Sequence, residues 1–173
     1  MKNGYCSYEP QLCDWIVHLG TLFPEARLKN VIEVRSADTC GPKFAVALAA
    51  FWKGLLYNED ALEEALTIFN STDKVELDYL YYQSFTKGMH ATTSDGRRFS
   101  EVLSTLLDIS QKGLANESNF DKDIQELETL SYAIRNRKSP AEEFINHCSD
   151  RNTIIDCMSF NGINDSGFSR IQK

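Results

Sequence analysis

Nine consecutive residues, Phe44-Ala45-Val46-Ala47-Leu48-Ala49-Ala50-Phe51-Trp52, carry no charged or amide side chain on any face. Such a run must be withdrawn from water, so it constrains the fold more than any other part of the chain. The turn Thr39-Cys40-Gly41-Pro42 precedes it, and Pro42 suits a first helical position, where its missing N–H has no intrahelical partner to lose. A helix is therefore expected from about Lys43 to Tyr57, buried on most sides and central to whatever packs around it. At this length it cannot span a hydrocarbon core, which takes roughly 20 residues, and no membrane segment is expected.

Amphipathic segments flank it. Leu12, Trp15, Ile16 and Leu19 recur at helical spacing within residues 11–21, and Phe23-Pro24 ends that helix. Further helices are expected near residues 59–69, 75–85, 101–112, 121–136 and 140–148. The last has a capping-box start, with Ser139, Pro140 at the first helical position and Glu142 three residues after the serine. Residues 92–97 and 115–119 read as surface loops, and residues 159–173 as a loose tail. At 173 residues the chain is the size of one domain, and we expect a single unit over 1–173. The fold class is α+β and predominantly helical: one or two strands with about six helices.

The strand signal lies between Arg27 and Arg35, where the period changes to two and Val31, Ile32 and Val34 are β-branched. Read as one strand, it puts Arg27, Lys29, Val31, Glu33 and Arg35 on one face and Leu28, Asn30, Ile32 and Val34 on the other. Three cations and one carboxylate would then line a surface roughly 27 Å long. This face reads either as the solvated side of a strand whose apolar side packs on the core or as a cradle for phosphate and carboxylate groups.

The net charge of -7 opposes a nucleic-acid partner, and no basic run with interleaved aromatics offsets it. An anionic small molecule remains compatible with a local cluster of cations. The five cysteines, with no C-x-x-C spacing, indicate neither a disulfide framework nor a zinc site. The first ten residues lack the basic-then-apolar pattern of a secretory signal, so the expected location is the cytoplasm.

Asp14-Trp15 with His18-Leu19, then Thr21-Leu22-Phe23-Pro24-Glu25, Arg27-Leu28-Lys29 and Ile32-Glu33-Val34-Arg35-Ser36-Ala37-Asp38 form a dense, ordered set of matches. They resemble the plant and bacterial type of glutamate-cysteine ligase. The resemblance continues through Phe51-Trp52-Lys53-Gly54-Leu55-Leu56-Tyr57 and, more weakly, through residues 109–114 and Ser139-Pro140-Ala141-Glu142. Glu33-x-Arg35 also resembles the glutamate-x-arginine strand of the wider glutamine synthetase superfamily, which implies that the strand belongs to an incomplete sheet of that type.

The resemblance implies an ATP-dependent carboxylate-amine ligase. ATP phosphorylates the glutamate γ-carboxylate, and the cysteine amine displaces phosphate to form γ-glutamylcysteine, the first step of glutathione biosynthesis. By this analogy Glu33 is a magnesium ligand, Arg35 holds glutamate or the transferring phosphoryl group, and Arg27 and Lys29 add cationic contacts to glutamate or nucleotide. For Arg27 and Lys29 an ion pair with Glu25 or Asp38 is an equal reading, and Asp38 reads equally as a cap of the turn after the strand and as a ligand contact. His18 reads as a packed structural histidine, and Phe51 and Trp52 as core.

Family members are longer than this chain, and their carboxylate-bearing strands precede the segment seen here. The expectation is thus a partial or split chain, completed by a second polypeptide that supplies the N-terminal half. A non-catalytic helical binding or scaffold remnant is the alternative. The exposed edges of a lone strand also favour a homo-oligomer.

Overall fold

The computed structural model describes residues 9–38, 41–115 and 120–147. The expected tail and most of the 115–119 loop lie outside these residues. Contacts group the chain into two compact units, Met1–Thr39 and Cys40–Lys173.

The first unit contains α1 (Leu12–Gly20), β1 (Ala26–Leu28) and β2 (Ile32–Val34). The backbone N–H of Gln11 donates to Asp14 Oδ2 at 2.8 Å and holds the start of α1. The two strands pair antiparallel, with Ala26 opposite Val34, Arg27 opposite Glu33 and Leu28 opposite Ile32. The continuous strand expected from Arg27 to Arg35 is therefore corrected to a hairpin that turns at Lys29-Asn30-Val31. The Lys29 N–H donates to the Val31 carbonyl across this turn at 2.9 Å. Folding back satisfies backbone groups that a lone strand would leave unpaired, and asparagine tolerates the tight backbone at its tip. The apolar side of the hairpin does not pack on a core: Leu28 is 81% exposed and Ile32 63%. Strands of three residues and a nine-residue helix have too little surface to enclose one another.

The second unit holds all the buried side chains of the described residues. Its helices are α2 (Gly41–Leu56), α3 (Glu59–Ile68), α4 (Lys74–Lys87), α5 (Phe99–Leu114), α6 (Phe120–Asn136) and α7 (Pro140–His147), with a short 3₁₀ turn at Gly88–His90. Helix α2 is central, as its apolar run requires, and contacts α3, α5 and α6. Its burial differs from expectation. Phe44, Ala47, Ala50, Gly54 and Leu55 are buried, whereas Val46 is exposed and Leu48 only half-buried. The helix thus buries one broad stripe and not most of its circumference.

Two apolar clusters meet along that stripe. Leu55, Ala61, Ala65, Leu106 and Ile109 form one, and Ala50, Leu107, Leu114 and Leu127 the other, with half-buried Phe51 packed against both. Phe51 and Trp52 contact edge to face, with ring centroids 5.5 Å apart, as core aromatics do.

The crossing of α2 and α5 depends on small residues. A Cβ added to Gly54 would lie 2.2 Å from the Ser110 carbonyl oxygen, and one added to Gly113 would lie 2.0 Å from that of Gly54. Ser110 donates its hydroxyl to the Phe51 carbonyl at 2.9 Å across the same contact. Lys53 Nζ, 2.7 Å from Asp123 Oδ2, ties α2 to α6 with a half-buried ion pair. The Ser139 capping box forms as expected: Ser139 N–H donates to Glu142 Oε2 at 2.7 Å, and Glu142 N–H donates to Ser139 Oγ at 3.2 Å.

Candidate functional site

The hairpin register decides where the candidate residues go. Cross-strand partners share a face of the pleat, so Arg27 and Glu33 meet directly, and Arg35 joins them two residues beyond Glu33. Arg27 Nε donates to Glu33 Oε2 at 2.7 Å, and Arg35 Nη1 lies 3.4 Å from Glu33 Oε1. The charges expected along an extended surface are instead gathered about one carboxylate. Lys29 is at the turn, outside the paired residues.

The two arginines are held differently. Arg27 Nη1 donates to the carbonyls of Gly20 and Leu22 at 2.9 and 3.2 Å. Its side chain is only 12% exposed. It thereby fastens the hairpin to the C-terminal end of α1, where the helix carbonyls favour a cation. Its ionic partner here is Glu33, neither of the two acids that the sequence suggested. Arg35 makes a single longer contact with Glu33 and lies over the Phe23 ring, 4.8 Å from the centroid. The Arg27 guanidinium is 6.0 Å from the same ring. Arg35 is therefore oriented by a carboxylate and an aromatic face while most of its donors stay available.

Electrostatics follow from this packing. The hydrogen bond from Arg27 holds the Glu33 carboxyl below its ordinary range. Partial burial opposes that shift, and the charges of Arg27, Lys29 and Arg35 reinforce it. Glu33 is thus ionised at neutral pH. Among the described residues no group of three or more His, Cys, Asp or Glu side chains could hold a metal ion.

Phe23 is the functional candidate that sequence reasoning missed, because Phe23-Pro24 reads as a helix stop. Its role as a platform appears only when the hairpin returns Arg35 to it; the Arg35 N–H donates to the Glu25 carbonyl at 2.7 Å. His18 is exposed and tilts against Trp15, with ring centroids 5.6 Å apart. It does not join the hairpin cluster.

Comparison with known proteins covers most of the chain. The family model described as glutamate-cysteine ligase family 2 (GCS2) matches residues 2–155. The chain is 33% identical over 136 residues to the chloroplastic glutamate-cysteine ligase of Brassica juncea and 33% identical over 137 residues to chloroplastic glutamate-cysteine ligase A of Oryza sativa subsp. indica. It is 32% identical over 136 residues to the chloroplastic enzyme of Nicotiana tabacum. These matches cover 79% of this chain and 26%, 27% and 26% of the respective relatives. The chain thus spans about a quarter of the length of the relatives it matches. No solved structure matches it.

Proposed function

The chain belongs to glutamate-cysteine ligase family 2, and on that footing we propose that it is a partial or split component of an ATP-dependent ligase that joins cysteine to the γ-carboxylate of glutamate. A second polypeptide, supplying what the longer relatives carry elsewhere, completes the active assembly. The observation that carries this reading is the Arg35 guanidinium, held over Phe23 and steered by Glu33, with donors left over for an anion.

The reaction gathers negative charge twice. A γ-carboxylate oxygen attacks the terminal phosphorus of ATP, and ADP leaves. The cysteine amine then attacks the acyl phosphate carbon, losing a proton as inorganic phosphate departs. Arg35 contacts the glutamate carboxylate or the transferring phosphoryl group, for which its planar fork is suited. Arg27 and Glu33 keep it in place, and Lys29 adds positive potential from the turn. Magnesium takes one or two carboxylates from a protein and its other oxygens from phosphates and water. Glu33 fits such a single-carboxylate role through Oε1, the oxygen held less closely by arginine. Bound there, the ion would offset phosphate charge.

The apolar faces of the first unit support the partner polypeptide: Trp15, Ile16, Leu28 and Ile32 are all exposed, and faces of this kind mark association surfaces. A homo-oligomer would cover the same faces. The exposed, free thiol of Cys13 suits a reducing compartment such as the cytoplasm. No helix among the described residues is long and apolar enough to cross a membrane.

The test is ADP release and γ-glutamylcysteine formation from ATP, magnesium, glutamate and cysteine, with the chain alone and with a complementary polypeptide carrying the remaining length of a relative. Turnover in the mixture and little by the chain alone is the expected result. Absence of turnover in both overturns the ligase reading and leaves the non-catalytic scaffold.

A further inference from the structure

The helical unit contains a second group of cations that shares no residue with the hairpin. Residues of the 3₁₀ turn, the segment before α5, the first turn of α5 and the residue just after α6 line a cavity of about 90 Å³. Its polar lining comes from His90, Thr92, Arg98, Ser100 and Arg137, and it includes no carboxylate. In a chain of net charge -7 such a lining is a local reversal of sign.

Three of these side chains point to a ligand. Ser100 is only 7% exposed as a residue and lines the cavity; its hydroxyl has no hydrogen-bond partner among the described residues and is open to solvent there, since the buried unpartnered side-chain atom among them is Gln83 Oε1. Arg137 has neither an ion-pair nor a side-chain hydrogen-bond partner among them. It also occupies an unusual backbone position. The Arg137 N–H donates to the Ile134 carbonyl and the Lys138 N–H to the Ala133 carbonyl, both at 3.1 Å, in the pattern that closes a helix with a left-handed residue. Glycine is usual there, but this chain holds arginine at φ 51°. Arg98 is the third. Its side chain is 57% exposed, and its ion-pair partner Glu101 reaches Nη1 only at 3.9 Å and accepts from the Arg98 backbone N–H as well. His90 pairs with Glu142, 3.6 Å away, which also lies outside the lining.

We propose that this cavity is a binding site for a phosphate group, gripped by Arg98 and Arg137 and receiving a hydrogen bond from Ser100. Donors on several walls suit an anion with acceptors in every direction better than a planar carboxylate. Because a water needs only about 10–15 Å³ of such space, the cavity has room for one phosphate but not for a nucleoside. Free phosphate and a small phosphate monoester present the same chemistry, and titration separates them.

The experiment is thermal melting of the full chain with increasing inorganic phosphate, with glycerol phosphate, and with sodium chloride at matched ionic strength. A saturable rise in Tm with phosphate and none with chloride is expected; an equal rise with glycerol phosphate identifies monoesters as ligands, and no rise identifies the free ion. Arg98→Gln and Arg137→Gln should each abolish the rise. Arg137→Gly is the variant least exposed to folding failure: it should melt higher than the parent without phosphate and lose the phosphate response. A phosphate effect equal to that of chloride, or one retained in Arg137→Gly, overturns the proposal. None of these readouts requires ligase turnover, so the result stands apart from the fate of the ligase reading.

Discussion

Glu33 holds two guanidinium groups on one carboxylate, and the three charges do not contribute equally. Arg27 is spent on its neighbours: it binds Glu33 and two carbonyls at the end of α1. Arg35 is stacked on Phe23 and keeps donors free. On the proposed ligase reading, replacing Glu33 by Gln should lower ADP release by the complemented enzyme by roughly 100-fold, the order seen when one preorganised electrostatic group is removed. The helical melt should barely move, since Glu33 belongs to the first unit, which holds none of the buried side chains of the described residues. Unchanged turnover would remove Glu33 from the site. Arg35→Lys keeps the charge but loses the flat fork and the ring contact, so it should lower turnover more than Lys29→Ala does, measured in the same assay.

Among the elements, the α2–α5 crossing and the start of α7 show how local preference yields to contact. In an isolated helix alanine is better than glycine by about 1 kcal/mol. Here Gly113→Ala would drive a methyl to 2.0 Å from the Gly54 carbonyl oxygen, and overpacking of this kind costs typically about 1–3 kcal/mol or more. The net effect should be destabilising by roughly 2 kcal/mol, visible as a lower denaturation midpoint with an unchanged m-value. At α7, the backbone and side chain of Ser139 bonded to Glu142, with His90 and Lys138 nearby, hold the Glu142 carboxyl below its ordinary value despite the opposing effect of burial. A carboxyl lowered by folding stabilises above its unfolded value, 4.5, and that contribution is lost as pH falls through the lowered one. Wild type should therefore lose more stability than Glu142→Gln between neutral pH and about pH 3, as followed by urea melts; parallel losses would contradict the cap's role.

For the whole molecule, burial is distributed unequally. Every buried side chain among the described residues belongs to the second unit, and α1 and the hairpin enclose none. Residues 40–173 are therefore expected to retain cooperative helical melting without residues 1–39. If truncation abolished that melting, the 173 residues would instead fold as one unit, as their number suggests. In the full chain, Leu28→Asp with Ile32→Asp should leave the helical melt unchanged and weaken capture by the complementary polypeptide in a pull-down, because both positions are exposed and apolar. A third change separates core from surface. Leu127, fully buried, should not tolerate Asp, since an unpaired charge would be buried, whereas half-buried Leu48 should be less sensitive.

The identities and approximate ends of the helices, the central place of α2 and the Ser139 cap were legible in the sequence, because helical spacing, apolar runs and capping residues act over three or four neighbours. Period two likewise put Arg27, Glu33 and Arg35 on one face. Where those side chains meet was decided by the turn at Lys29-Asn30-Val31, which exchanges a long row of charges for a cluster about Glu33. Contacts between residues far apart in the chain decided the rest: Gly113 against Gly54, His90 beside Glu142, and Arg137 sharing a cavity with Ser100. Periodicity assigns each residue to a side of its own element, but only the packing of elements determines which side chains come within reach of one another.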